Sequence, residues 1–285
     1  MTMPTFDTLI DADSLRALLR GAPPLPLVLD ASFDLADTGA GERSYASAHI
    51  PGSLYVHLDR DLCTAKSGAN GRHPLPERAV FAKTAAAWGI VPGRQVVTLD
   101  RQGGMFAARL WWMLRWLGHT PVAVLDGGFA AWLEAGGESS AAPGIAEPAA
   151  PYPALSPRVE RIDAGRLATQ LGRAMVLDAR SPERFRGDKE PIDAVAGHIP
   201  GALNRFHSAN LAPGGHFKPA AQLRDEFAAV LGTRAASDVI HSCGSGVTAC
   251  HNLLAMEHAG LPGSVLYPGS WSEWSSDPAR AIARG

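Results

Sequence analysis

Three cysteines in 285 residues are too few, and odd in number, for a disulfide framework. A hydrophobic core must therefore hold the chain together, and the composition fits a reducing compartment. No basic excess is present: 26 lysines and arginines face 28 acidic residues, a formal charge of −2. That balance argues against a nucleic-acid partner and against a membrane surface. No apolar run approaches the roughly 20 residues that span a bilayer. The opening MTMPTFDTLIDADSLRALLR has acids inside its apolar stretch and no basic leading region, so it does not read as an export signal, and the expected location is cytoplasmic. Cysteine, histidine and acidic residues nowhere fall at C-x-x-C or H-x-x-x-H spacing, so no metal site is expected. What is plentiful is apolar residue, at 46%, with 30 glycines and 22 prolines. This is a turn-rich globular chain long enough for two domains.

The chain reads as one pattern used twice. AHIPG at 48–52 returns as GHIPG at 197–201, and each follows a strand-like run ending in an acid, LVLD at Asp30 and MVLD at Asp178. QVVTLD, ending at Asp100, answers SDVIHSC, ending at Cys243. Each of these precedes a glycine-containing turn and an apolar helical stretch. GGFAAW, ending at Trp132, answers PGSWSEW, ending at Trp274. A proline-rich stretch of linker composition divides the copies, giving expected domains at 1–140 and 158–285 joined by 141–157. Near-continuous apolar runs such as LVLD and VVTL predict buried parallel strands. DADSLRALLR and DAGRLATQL predict helices opened by acidic caps. Alternation of the two predicts an α/β fold in each half, a mostly parallel sheet flanked by helices. Ligands of such sheets bind beyond the carboxyl ends of the strands, where Asp100 and Cys243 stand.

HSCGSGVTACHNLL places Cys243 at a strand end, two glycines within the next three residues, and a helix from about Thr248. Backbone N–H groups of such a curled loop, together with a helix N-terminus, point at the sulfur. A phosphate-transfer loop needs an arginine six residues after the cysteine, and that position holds Ala249. A cysteine protease needs a histidine partner, and His241, two residues upstream on the same strand, makes a weak candidate. A thiolate held by backbone donors suits a simpler task, accepting a sulfur atom as a persulfide.

The paired AHIPGS and GHIPGA segments, RFRG at 184–187, CGSGVTA at 243–249 and the two tryptophan-ended motifs together resemble the tandem-domain rhodaneses, a family of sulfurtransferases. The resemblance runs from about Leu27 to Trp274. It implies two tandem rhodanese-like domains, the second catalytic and the first inactive, with Asp100 in the cysteine position. The small neutral CGSGVTA loop resembles that of the 3-mercaptopyruvate subfamily, whose loop serine joins a Ser–His–Asp relay. Ser245 matches the serine and His73, in NGRHPLP, the histidine. The acid eight residues past the HIPG histidine is replaced here by His57, and Asp59 is favoured over Asp61 as its substitute. The subfamily holds the donor carboxylate with two arginines. Arg184 matches the first, but the second position is Asp193; either Arg72 or Arg186 replaces it or the donor is not mercaptopyruvate, and Arg72, beside His73, is favoured.

The implied chemistry is a ping-pong transfer of sulfane sulfur through a Cys243 persulfide, cradled by Gly244, Ser245, Gly246, Val247 and Thr248. The donor is a small molecule, with 3-mercaptopyruvate favoured and thiosulfate the alternative. The acceptor is cyanide, a thiol or a thioredoxin-like protein, and no cofactor is needed. A non-catalytic persulfide relay between proteins is the second alternative. His49, His198, Asp30 and Asp178 are expected to tie loops, Trp111, Trp112 and Trp116 to pack in a core, and Cys250 to pack in the helix after the loop.

Overall fold

The computed structural model describes residues 4–285. The chain divides into two compact units. The first comprises 4–62, 76–158 and 214–216, and the second 63–75, 159–213 and 217–285. The segment Cys63–Leu75 thus lies with the second unit, although sequence order sets it within the first copy. Its contacts explain this: the Arg72 N–H donates to Ser272 Oγ (2.9 Å), and a Cβ at Gly71 would come within 2.9 Å of the Gly269 carbonyl.

Each unit holds a five-stranded sheet. In the first, β1 (Leu9–Ile10), β2 (Leu27–Asp30), β3 (Leu54–Tyr55), β4 (Val96–Leu99) and β5 (Val122–Leu125) lie in the order β1-β5-β4-β2-β3. In the second, β6 (Glu160–Arg161), β7 (Met175–Asp178), β8 (Leu203–Asn204), β9 (Val239–Ser242) and β10 (Val265–Leu266) repeat that order as β6-β10-β9-β7-β8. Every pairing is parallel. The central strands are buried at every residue or nearly so, because helices cover the sheets and leave no polar alternation. The acidic caps form where the sequence puts them: Asp11 accepts from the Ser14 N–H (2.7 Å) and Asp163 from the Arg166 N–H (2.8 Å).

Ile10, Leu15, Val97, Leu125 and Trp132 lie in the core of the first unit, and Leu167, Ile240, Tyr267, Trp271 and Trp274 in that of the second. Trp111, Trp112 and Trp116 are buried on the helix Met105–Trp116, the last two stacked at 5.9 Å. Among the described residues no helix is long and apolar enough to cross a membrane.

Candidate active site

β9 stops at Ser242, one residue short of the cysteine. The Cys243 N–H leaves the strand ladder and donates to Ser270 Oγ (3.0 Å). Gly244, Ser245 and Gly246 then curl back, and the helix Thr248–His258 begins with Val247 as its cap residue. Gly246 has φ +76°, and a Cβ there would stand 2.3 Å from the Pro268 carbonyl, so the turn requires glycine. Its N–H donates to Cys243 Sγ at 3.1 Å. Of the loop residues expected to cradle the sulfur, Gly246 is the one whose N–H reaches it. Cys243 is 1% exposed.

Ser245 and His73 meet: the hydroxyl and the ring Nδ1 are 2.8 Å apart, and both residues are buried. The two arginines close over the same loop. A Cβ at Gly244 would lie 2.9 Å from Arg72 Nη2 and 3.5 Å from Arg184 Nη1 and Nη2. Asp193 sits between them, Oδ1 on Arg72 Nη1 (2.5 Å) and Oδ2 on Arg184 Nη2 (2.9 Å). Glu190 takes the other side of Arg184 (2.8 Å) and reaches Arg180 (3.3 Å), which pairs with Asp178 (2.7 Å). Burial raises the Asp193 carboxyl above its ordinary range, with Arg72 pulling against it. Burial also pushes Glu190 up, but the Arg184 bond and the Asp193 and Ile192 N–H groups outweigh it, and its pKa ends below the usual carboxylate range.

Asp59 lies in the first unit, on the short helix Leu58–Asp61. The His57 side chain caps that helix, accepting from the Asp59 and Arg60 N–H groups, and Asp61 accepts from the His57 N–H (2.7 Å). His241 does not contact the thiol by any hydrogen bond. It is fully buried on β9 with no partner at either ring nitrogen, and burial lowers its pKa to about 3. Cys250 donates to the Gly246 carbonyl (3.3 Å) and is buried in the helix that follows. No group of three or more His, Cys, Asp or Glu side chains among the described residues could hold a metal ion.

In chemical terms the second unit offers a sulfur nucleophile with a backbone donor on it, a serine–histidine pair two residues away, and two guanidinium groups for an anion. The family profile described as Rhodanese-like domain matches residues 11–135 and 163–277. The chain belongs to the rhodanese family. A relative from Pseudomonas aeruginosa, "Probable 3-mercaptopyruvate sulfurtransferase", is 47% identical over 97% of this chain and 98% of its own. The thiosulfate sulfurtransferase of Bos taurus is 34% identical over 92% and 89%. The solved 3-mercaptopyruvate sulfurtransferase from Leishmania major superposes with a TM-score of 0.82 at 29% identity, covering 94% of this chain and 74% of that one. These names share sulfur transfer, and the chain is an enzyme of this type.

The two rhodanese units use their shared motifs alike. His49 bonds the Tyr45 carbonyl (2.7 Å) and stacks on that ring, and His198 bonds the Phe185 carbonyl (2.8 Å) and stacks on Phe185. Both histidines pin the turn to the preceding helix. Asp30 and Asp178 bond the N–H two residues on, at Ser32 and Arg180.

The loop centres differ. Asp100 fills the first cradle with a carboxylate that accepts from the Gln102, Gly104, Phe106 and Ala107 N–H groups, all within 2.9 Å. That curl of rhodanese backbone holds an anion in one unit and the sulfur in the other.

Ser270 is the residue that motif reading passes over. It has φ +52°, the sole left-handed non-glycine among the described residues, and is fully buried. Its hydroxyl accepts the Cys243 N–H, donates to the Tyr267 carbonyl (2.9 Å) and stands 3.9 Å from Sγ. The repeat carries the signal. Aligned on Trp132 and Trp274, Ser270 falls on Gly128, a glycine with φ +60°. A serine that keeps a glycine's backbone at a cost of about 1–2 kcal/mol is held there for its hydroxyl.

Proposed function

We propose that this enzyme moves the sulfur of 3-mercaptopyruvate to a thiophilic acceptor through a persulfide on Cys243. The observation that carries the reading is the buried 2.8 Å contact between Ser245 and His73, two residues from the nucleophile in a loop without a basic side chain. Arg72 and Arg184 hold the donor carboxylate. The Cys243 thiolate attacks the donor's thiol sulfur. The new S–S bond forms as the S–C bond breaks, and the carbon keeps that electron pair as pyruvate enolate. The sulfur's own proton stays on the outer sulfur of the persulfide. The enolate carbon takes a proton relayed from His73 through Ser245 Oγ. The backbone of Gly244, Gly246, Val247 and Thr248 holds the persulfide, and cyanide, a small thiol or a thioredoxin-like protein removes the outer sulfur. Asp100 leaves the first domain without a nucleophile.

Thiosulfate is the second reading, favoured by the name of the bovine relative. It separates cleanly, because sulfite leaves as a stable anion and needs no proton. Both donors are assayed with cyanide as acceptor and Cys243→Ser as the blank. Wild type is expected to prefer mercaptopyruvate. Ser245→Ala and His73→Gln are expected to lower kcat for that donor by about 10²–10⁴-fold, the usual worth of a placed proton donor, and to lower it far less for thiosulfate. Equal losses with both donors would sink the relay, and a wild-type preference for thiosulfate would sink the donor assignment.

A further inference from the structure

The guanidinium groups beside Cys243 are already countered before a donor arrives. Arg72 bonds Asp193, Arg184 bonds Asp193 and Glu190, and Arg180 bonds Asp178 and Glu190. Three arginines meet three carboxylates, so the cluster carries no net charge when all are ionised. Arg180 and the three carboxylates are well screened from water, with Arg180, Asp178, Glu190 and Asp193 side chains 1%, 2%, 3% and 6% exposed, while Arg184 and Arg72 are 16% and 21% exposed. Charges at this depth act over short distances with little damping by salt.

The arrangement leaves a fork. Arg72 Nη1 is committed to Asp193, and Arg72 Nη2 faces Gly244. Arg184 Nε and Nη2 are committed to Glu190 and Asp193, and its Nη1 also faces Gly244. The two open amino groups suit one planar carboxylate at the cysteine loop. Asp193 bonds both of these guanidinium groups.

We infer that Asp193 is a specificity-determining residue, which brings a negative charge into the arginine clamp so that the site takes monoanionic donors and turns dianions away. This rests on the reading that Arg72 and Arg184 hold the donor's anionic end. Mercaptopyruvate presents one negative charge and thiosulfate two. A countered clamp gives the second charge no cation to meet, and the Cys243 thiolate adds repulsion. The selectivity lies in a carboxylate that the donor need not touch.

The test measures kcat/KM for both donors in wild type, Asp193→Asn and Asp193→Glu, with cyanide as acceptor. Asp193→Asn removes one negative charge while keeping the side chain's size, and the ratio of kcat/KM should move toward thiosulfate by roughly tenfold or more. Asp193→Glu keeps the charge and should keep the ratio within about threefold of wild type. An unchanged ratio in an active Asp193→Asn enzyme overturns the inference, as does an equal shift in both variants, which would make geometry the cause. Inhibition of the wild type supplies a check that no variant's folding can spoil. Pyruvate, a monoanion, should inhibit at lower concentration than sulfate, a dianion of similar size, and the reverse order overturns the inference. Absence of Cys243-dependent turnover with either donor in wild type sinks the underlying reading and the inference with it. Turnover with an unmoved ratio sinks the inference alone.

Discussion

At Gly246 two demands meet on one residue: a left-handed backbone and an N–H aimed at Cys243 Sγ. Gly246→Ala adds a Cβ 2.3 Å from the Pro268 carbonyl and the strain of a positive φ, roughly 1–2 kcal/mol before any clash. The loop must shift, and the sulfur loses its donor. Turnover is expected to fall by about a hundredfold or more, the scale seen when one placed anion donor is lost. A steady-state assay on the folded variant checks it, and near-normal kcat would show that the Gly246 N–H is dispensable. Residue identity made this position legible, since glycine within a cysteine loop announces a tight turn. The ion pair of Arg72 with Asp193 was not legible. The partners are 121 positions apart in the chain, and charge alone names no partner for an arginine.

The element that teaches most is the strand–turn–helix unit, because the chain builds it twice around different centres. Around Asp100, four N–H groups converge on one carboxylate that is 1% exposed. Asp100→Asn turns one acceptor oxygen into a donor facing backbone donors, and a buried charge-assisted contact of this kind is worth about 1.5–3 kcal/mol per bond lost. The variant is expected to unfold at a urea midpoint lower by an amount equivalent to at least about 2 kcal/mol, and an unchanged midpoint would show that the loop closes without the carboxylate. The elements themselves were plain in the sequence. LVLD, VVTL and MVLD are nearly continuous in apolar residues and became buried parallel strands, and the acidic caps fell at Asp11 and Asp163. Element ends were less plain. SDVIHSC reads as one strand to the cysteine, yet β9 stops at Ser242, as β4 stops at Leu99, and the Cys243 N–H goes to Ser270 of a distant motif. No local pattern encodes a partner 27 residues away.

For the molecule as a whole, acidity should be a hazard. His119 is buried against the Tyr152 hydroxyl and the Arg94 carbonyl, and burial lowers its pKa to about 4. His241 is lowered to about 3 by the same cause. Both are neutral in the fold, while in the unfolded chain they take up protons near 6.5. Their contribution to stability is therefore complete above about pH 6.5 and is lost as pH falls from there toward 4 and 3. Urea midpoints measured from pH 8 to pH 5 are expected to be level above about 6.5 and to decline below it. His241→Leu, which removes a buried imidazole without hydrogen-bond partners, should lessen the decline and raise the midpoint at every pH. A variant with the wild-type pH slope would show that His241 is protonated in the fold.

The segment Cys63–Leu75 carries one further consequence. The repeat suggests two modules that could be cut apart at the linker and studied, exchanged or lost independently. Residues 158–285 expressed alone would keep Cys243, Ser245 and Arg184 but leave His73 and Arg72 on the discarded piece. On the proposed mechanism the first copy, whose loop holds Asp100 in the place of the nucleophile, still serves catalysis through thirteen residues that fold with its twin.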